Sequence, residues 1–575
     1  MNVLTCEVYN CIVFNQFIRM GHSIIRSLGS FMLVGVLLLP EVSYSCNPRQ
    51  ALTTEQKLFL TSKVWGFLKY YHPRVNEGKI NWDNELIKIV NKLPDFSSNE
   101  ELSSLYLEWI DSLGEIQPTR IPETKKASQY FDENFDLSWI SEDVFSLELT
   151  HRLLFIENNR AIKLHYLSQG SYGQIFIKNE LNFNAAQWNN QDVRLVTLFR
   201  YWNVINYFYP YKYKMDKNWD DVLHYFIPKF MQVSTEREYH LLIRELTVSL
   251  DDSHGFFTTD LVRDYAGNKF IPAEFSIIDD KAVITGFYND SLAHADDLRL
   301  GDVIVAVNDT LVSDIYQRNE KYINGSNEQV KKLGYSFRWI FNGSTDSVKI
   351  AFERDGMVLE KTIRRYEFSA FKSSKEPPVK WKMLDGNIGY ANMEEVYAKD
   401  LSPMMKAFQD TKAIIFDFRN YPEFIIDQTM KYFLTKPRES AKAIQCDLSY
   451  PGRFIWSAPA IVGKNNSKAY KGRVILLVNE ETQSRSEYFV MAMQTVEGSI
   501  TIGRQTSGAD GDVMDYIFFD DKTTWITGRG IFYPDGTETQ RVGVKIDVLV
   551  PLNIKDISHK RDSILEKAIE VAANF

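Results

Sequence analysis

Cysteine is scarce in this chain of 575 residues: there are four, and only Cys46 and Cys446 lie beyond the first twenty positions. A disulfide framework is thereby excluded, and nothing around Cys446 supports a cysteine nucleophile. Metal-ligand spacings are missing, so no metal is expected. A dinucleotide fingerprint is missing too, and Gly463-Lys464 lacks the preceding glycine and following hydroxyl of a phosphate-cradling loop, so no cofactor is expected. Positive charge is in deficit, with 66 Lys and Arg against 75 Asp and Glu and a net charge of -9. That balance leaves no electrostatic footprint for nucleic acid. The apolar run Phe31 to Leu39 is too short to anchor a mature chain across a bilayer.

What the chain does have is core-forming material, 44% hydrophobic and 14% aromatic residues, which sets disorder aside. Its length suggests about three to five domains. Residues 1–45 read as an export signal whose true start is either Met1 or Met20. Arg26 supplies the positive end, Phe31 to Leu39 the apolar centre, and Ser43-Tyr44-Ser45 the cleavage site before Cys46. Cys46 resembles a bacterial lipoprotein acceptor, which implies membrane attachment through a lipid, whereas Tyr44 departs from the small residue of that motif. The expected location is the periplasm or the cell envelope. Composition and motifs do not set an oligomeric state.

An aromatic helical pattern then occurs twice. Trp65 to Pro73 is echoed by Trp202 to Pro210, Trp82-Asp83 by Trp219-Asp220, and Ser112-Leu113 by Ser249-Leu250, every pair 137 residues apart. Such a constant offset marks a duplicated unit, read as helical repeats over 46–120 and 186–264. The segment between them, 121–185, alternates over Phe155 to Tyr166 and Tyr172 to Ile177 and reads as a β-rich insert. Only the second copy ends in Asp251-Asp252-Ser253-His254. A histidine in a polar turn is ordinarily a surface residue, but beside a nucleophile it becomes a general base.

The nucleophile is sought between Val474 and Gln494. Val474 to Val478 reads as a strand buried on both faces, Ser486 to Gln494 as a helix, and Asn479 to Arg485 as the turn joining them. A serine there is exposed at the carboxyl end of a strand, and the first helical N–H groups can hold an oxyanion. Taken alone, the same turn reads first as a helix cap formed by Thr482, Ser484 or Ser486, because Ser and Thr dominate such positions.

Leu298 to Asn308 resembles the leucine-x-x-Gly-Asp-x-Ile-x-x-Val-Asn segment of PDZ domains, giving a PDZ-like unit at 265–368 that implies a polypeptide ligand. After the Lys375-Glu376-Pro377-Pro378 linker, residues 379–575 follow an α/β pattern. The strand ending in Asp417-Phe418-Arg419-Asn420, and the later Asn479-Glu480-x-Thr482-x-Ser484-x-Ser486-Glu487, resemble the C-terminal processing and tricorn-core serine peptidases. Gly503 to Gly508, Pro534-Asp535-Gly536 and Val542-Gly543-Val544 resemble later landmarks of that family, so the likeness extends from about His254 to the C-terminus. It implies a multidomain α+β protein with duplicated helical units, a β-rich insert, a PDZ-like domain and an α/β catalytic domain of the ClpP/crotonase type. It also implies that Ser484 is the nucleophile and that the substrate is a polypeptide.

Two activation schemes exist in that family. The processing branch uses a lysine where this chain has Ala509, whereas Ser253-His254 matches the histidine of the tricorn branch. By the resemblance the third catalytic member is an acid near Gly543, where this chain has Gln540 with Glu538 two residues away. Glu538, Gln540 and Ser253 are the expected partners of His254, in that order. Relatives carry glycines after the Asp-x-Arg strand to build the oxyanion site, but this chain has Tyr421-Pro422-Glu423-Phe424, and proline offers no N–H. The N–H of Arg485 is then the expected donor, with Tyr421, Glu423 or Phe424 as its partner. Two functions fit: an exported serine peptidase, or a non-hydrolytic protein that keeps the fold to hold peptides or hydrophobic ligands. The export reading is tested by the intact mass of protein from the native cell envelope, expected to correspond to a chain beginning at Cys46; a full-length cytosolic chain contradicts it.

Overall fold

The computed structural model describes residues 51–118, 125–171, 173–332, 337–371 and 378–575. The expected export segment and Lys375-Glu376-Pro377 of the linker lie outside the described residues. The first three long helices are Thr54–Tyr71, Trp82–Lys92 and Asn99–Ser112, and three more are Gln191–Phe208, Trp219–Gln232 and Glu236–Val248. Each helix of the second set starts 137 residues after its counterpart, and so does each cap: Thr53, Asn81 and Ser98 against Asn190, Asn218 and Thr235. All six caps accept a backbone N–H of the first turn, which fixes where the helices begin.

The repeated tryptophans explain the repeated fold. In the first copy the Trp65 indole donates to the Trp82 carbonyl (3.0 Å) and Trp82 donates back to Trp65 (3.1 Å). In the second copy Trp202 and Trp219 exchange the same two bonds at 2.7 and 2.9 Å. Four large apolar bodies are buried with no indole N–H left unpaired. The copies pack through reciprocal pairs: Lys63 binds Asp220 at 2.7 Å, while Arg200, its counterpart, binds Asp83 through Nε at 2.9 Å. Such exchange of equivalent positions is the signature of a two-fold, isologous contact. Symmetry is broken at Gly66, opposite Asn203: Asn203 Nδ2 donates to the Ser62 carbonyl (3.1 Å) and occupies the space a Gly66 Cβ would need.

The insert departs from its expected β-rich character. Its strands are short, Tyr130–Phe131, Leu167–Gln169 and Ile175–Ile177, and Leu147–Asn158 is a helix capped by Ser146. Leu149, Leu153 and Ile156 are buried along it at helical spacing, so the alternation read from Phe155 onward is the tail of a helical stripe.

The segment that resembles a PDZ domain has its own apolar core, including Ile277, Ile284, Ile304, Ile350 and Phe352. Its antiparallel sheet runs in the order Met357–Arg364, Ser347–Arg354, Val303–Val307, Lys281–Phe287, Ala273–Ile278. Asp279 and Asp280 join the last two strands with φ of 49° and 60°, the two-residue hairpin geometry that aspartate tolerates.

The C-terminal unit is built on a sheet in the order Trp381–Leu384, Ile388–Asn392, Ala413–Asp417, Arg473–Val478, Ile500–Gly503, Val548–Leu549. All its pairings but the first are parallel. Val474, Leu476 and Val478 face one apolar cluster, and Ile475 and Leu477 face another that includes Ile564, Ala568 and Ala572. Burial on both faces is why this strand reads as an unbroken apolar run. A hairpin, Val513–Phe519 with Lys522–Thr527, leaves this unit and enters the helical core: Tyr516 meets Tyr201 at 5.1 Å, and Phe519 stacks on His240 at 5.0 Å. The helical repeats and the C-terminal unit therefore share one hydrophobic cluster.

Replacement of Gly66 by alanine tests the contact between the copies. Helix propensity alone gives a gain of up to about 1 kcal/mol, but overpacking against Asn203 costs about 1–3 kcal/mol. A lower melting temperature for Gly66→Ala is expected, and it should be recovered in Gly66→Ala/Asn203→Gly.

Candidate active site

The turn after strand Arg473–Val478 is tied down by its own hydroxyls. Thr482 Oγ1 donates to the Phe418 carbonyl (2.8 Å), and Ser486 Oγ donates to the same oxygen (3.0 Å). Both are thus committed to the scaffold. Ser484 is the half-buried serine of the turn that lines the cavity, preceding helix Arg485–Met493 with φ 55° and ψ -118°. A non-glycine residue in that region carries about 1–3 kcal/mol of strain.

Glu487 holds this conformation. Its carboxylate accepts the Ser484 N–H (3.1 Å), the Gly508 N–H (2.8 Å), the Ala509 N–H (3.1 Å) and the Thr506 hydroxyl (2.5 Å), with no solvent exposure. Burial raises its pKa above the ordinary carboxylate value, and these hydrogen bonds oppose the rise. The loop that carries a lysine in the processing branch is thus fastened here by backbone amides. Cys446 is inert, its thiol pushed up by burial.

His254 lies between a carboxylate and the hairpin. Its Nδ1 is 2.9 Å from Thr527 Oγ1 and 3.4 Å from Asp252 Oδ1. The Thr527 hydroxyl donates to Asp252 Oδ2 (2.6 Å), and the same oxygen takes the Thr527 N–H (3.1 Å). Since the single hydroxyl proton goes to Asp252, Thr527 Oγ1 accepts from His254, and the tautomer that satisfies both bonds carries its proton on Nδ1. Burial alone would raise the Asp252 pKa, but hydrogen bonding and charge from His254, with the Thr527 hydroxyl, hold it below the ordinary value. His254 Nε2 has no hydrogen-bond partner. His254 and Ser484 line one cavity of about 1430 Å³, together with Ser253, Tyr421, Phe424, Arg485 and Asp510.

Several expectations are corrected by this arrangement. Glu538 is not the partner of His254: it accepts the Tyr213 hydroxyl (2.6 Å) and pairs with Lys214. Gln540 is buried with neither amide atom partnered, and it does not reach His254. Ser253 instead exchanges two 2.8 Å bonds with Ser326, one through each backbone N–H. The orienting pair is Asp252 and Thr527. Asp252 was visible two residues before His254, but Thr527 lies 273 residues away and only the fold brings it near. No hydrogen bond joins Ser484 to His254 Nε2.

On the oxyanion side, Arg485 begins the helix, where the N–H has no intrahelical partner. Its guanidinium donates to the Pro422 carbonyl (3.3 Å) and lies over Tyr421 and Phe424, at 5.1 and 5.8 Å from the ring centres. Glu423 is exposed, and the cavity wall beside Ser484 is formed by Tyr421 and Phe424 on either side of it. Residues 386–550, which contain Ser484, Glu487, Thr527 and the parallel sheet, match Peptidase family S41.

The C-terminal unit is a Peptidase family S41 domain. Its fold and family are those of serine peptidase hydrolases. Mature CPAF complexed with lactacystin is a structural neighbour at 13% identity and a TM-score of 0.52, covering 67% of this chain and 98% of that one. The photosystem II D1 C-terminal processing protease is 16% identical, with a TM-score of 0.38 over 64% of this chain and 96% of that one. Tricorn protease is 14% identical, with a TM-score of 0.33 over 67% of this chain and 37% of that one. No curated protein sequence matches this chain.

The strained S41 turn yields a stability test. Glycine adopts positive φ without the side-chain penalty, so Ser484→Gly is expected to stabilise the protein by about 1 kcal/mol or more. Chemical denaturation checks this; a loss of stability shows that the hydroxyl, and not Glu487, maintains the turn.

Proposed function

We propose that this chain is an exported serine peptidase that hydrolyses peptide bonds of polypeptides, with Ser484 as nucleophile and His254 as base. The observation that carries the reading is the half-satisfied imidazole: Nδ1 is fixed by Thr527 and Asp252 while the buried Nε2 has no partner, in a residue lining the same cavity as Ser484. A histidine held in this tautomer accepts a proton only at Nε2. Ser484 Oγ attacks the scissile carbonyl carbon as its proton passes to Nε2. Asp252 then stabilises the imidazolium directly and through the Thr527 hydroxyl. The negative oxygen of the tetrahedral adduct is held by the Arg485 N–H at the positive end of its helix. His254 returns the proton to the leaving amine, and water releases the acyl group by the same route. The PDZ-like unit presents strand Ala273–Ile278 at the end of its sheet order, an edge to which an extended peptide can add. Export through residues 1–45 and lipidation of Cys46 complete the reading as a cell-envelope enzyme.

A second reading, a non-hydrolytic peptide-binding protein, is favoured by Tyr421-Pro422 in the loop where relatives place glycines and by the missing Ser484–His254 bond. Fluorophosphonate labelling of the purified protein separates the two, with Ser484 modified only if it is activated. Ser484→Ala is expected to abolish hydrolysis, and Asp252→Asn to lower kcat by up to about 10⁴-fold, because a neutral partner lets the imidazole flip its tautomer. Thr527→Val should cost about 10²-fold, with Thr527→Ser restoring activity. Absence of labelling together with unchanged peptide binding in Ser484→Ala would establish the binding protein.

A further inference from the structure

Four residues after Ser484, on the next turn of the same helix, the Tyr488 ring forms part of the cavity wall. Burial raises the pKa of its phenol, and Asp510, Asp512 and Asp427 raise it further while Arg529 opposes them. All four charged groups line the cavity that contains Ser484 and His254, so they share one corner of it. Asp510 is 1% exposed, yet its Oδ2 has no hydrogen-bond partner. No cation of the surrounding protein hydrogen-bonds this oxygen: Arg529 acts on Asp510 through charge alone, approaches Asp512 at 3.7 Å, and its buried Nε is itself unpartnered. Glu487, the nearest buried carboxylate to act on Asp510, is saturated by its four donors.

We propose that Asp510, backed by Asp512 and walled by Tyr488, forms a subsite for the lysine or arginine side chain of a substrate residue flanking the scissile bond. The inference rests on the peptidase reading for its position relative to the bond cut, but not for the ligand it takes. Three carboxylates face one guanidinium, so the corner favours a cation. An anionic side chain would meet Asp510 and Asp512, and an apolar one would leave Oδ2 buried and unpaired, which is the costly arrangement. A cation with N–H donors removes both penalties: it supplies the missing hydrogen bond and offsets the repulsion of Asp510 by Glu487 and Asp512. Burial, then the charge of Glu487, raises the Asp510 pKa well above the carboxylate value, with Asp512 adding to the rise and Arg529 and the Gly511 N–H opposing it. That is the behaviour of a carboxyl group lacking its counter-ion. Tyr488 adds an aromatic face along which the aliphatic stem of either side chain can lie.

The mature chain carrying Ser484→Ala reads the subsite by binding alone, whether or not Ser484 is a nucleophile. Peptides identical except for Lys, Arg, Gln, Leu or Glu at one position are titrated calorimetrically. Lys and Arg peptides are expected to bind at least about tenfold more tightly than the Gln peptide. Adding Asp510→Asn should bring the Lys-to-Gln affinity ratio close to one. Asp512→Asn, at an exposed position, should lower the same ratio by a smaller factor and serves if the buried change disturbs folding. A Lys-to-Gln ratio of one in the Asp510-containing protein, or a ratio that survives both substitutions, overturns the proposal. Fluorophosphonate labelling of the protein with Ser484 intact reports separately on the peptidase reading.

Discussion

One hydroxyl group joins the halves of the candidate active site. Thr527 ends a hairpin of the C-terminal unit, whereas Asp252 and His254 belong to the loop that closes the second helical repeat, and the Thr527 side chain bonds both. The neighbouring Phe256 N–H donates to Thr524 Oγ1 on the same strand (3.1 Å), so the loop is fastened to the hairpin at two levels. Everything that sets the hairpin's position therefore sets His254. Tyr516, Phe518 and Phe519 plant it in the helical core, and the tryptophan-paired repeats make that core rigid enough to receive it. Interior packing is dense, and a displacement in it is transmitted and not absorbed.

Much of the scaffold is legible in the chain because its signals are local or periodic. The tryptophan spacing marks helices whose starts keep the same interval, and the unbroken run Val474 to Val478 marks a strand buried on both sides. Ser484 is legible because a motif records a backbone shape, a strand followed at once by a helix. The insert differs from the β-rich expectation because Phe155 and Ile156 belong to the end of a helix whose earlier buried positions, Leu149 and Leu153, lie outside the alternating stretch. The partner of His254 differs from the expected one for a different reason. The family pattern points to an acid near Gly543, whereas the contact of Asp252 with His254 depends on a bridging hydroxyl that no spacing rule connects to it. Long-range polar contacts are set by how separate cores dock, and docking leaves no period in the sequence.

Glu487 and Asp510 show how burial gives two acids two fates. Glu487 is enclosed by four donors and acts as a structural knot beneath Ser484, while Asp510 turns one oxygen away from every protein donor. The same contrast holds between His254, with one ring nitrogen engaged and one open, and Arg244, whose guanidinium is spent on the Tyr322 and Phe257 carbonyls and the Asn324 amide. Both His254 and Arg244 line the cavity.

The entry of the hairpin into the helical core also bears on the order of events in the life of the chain. The N-terminal repeats emerge first from the ribosome, but their core is incomplete until Tyr516, Phe518 and Phe519 arrive more than 250 residues after His254. Until then the loop from Asp252 to His254 has no Thr527 to fasten it, and the imidazole is free to rotate. In a nascent or partly threaded molecule Ser484 and the ring of His254 are therefore not yet held against one cavity.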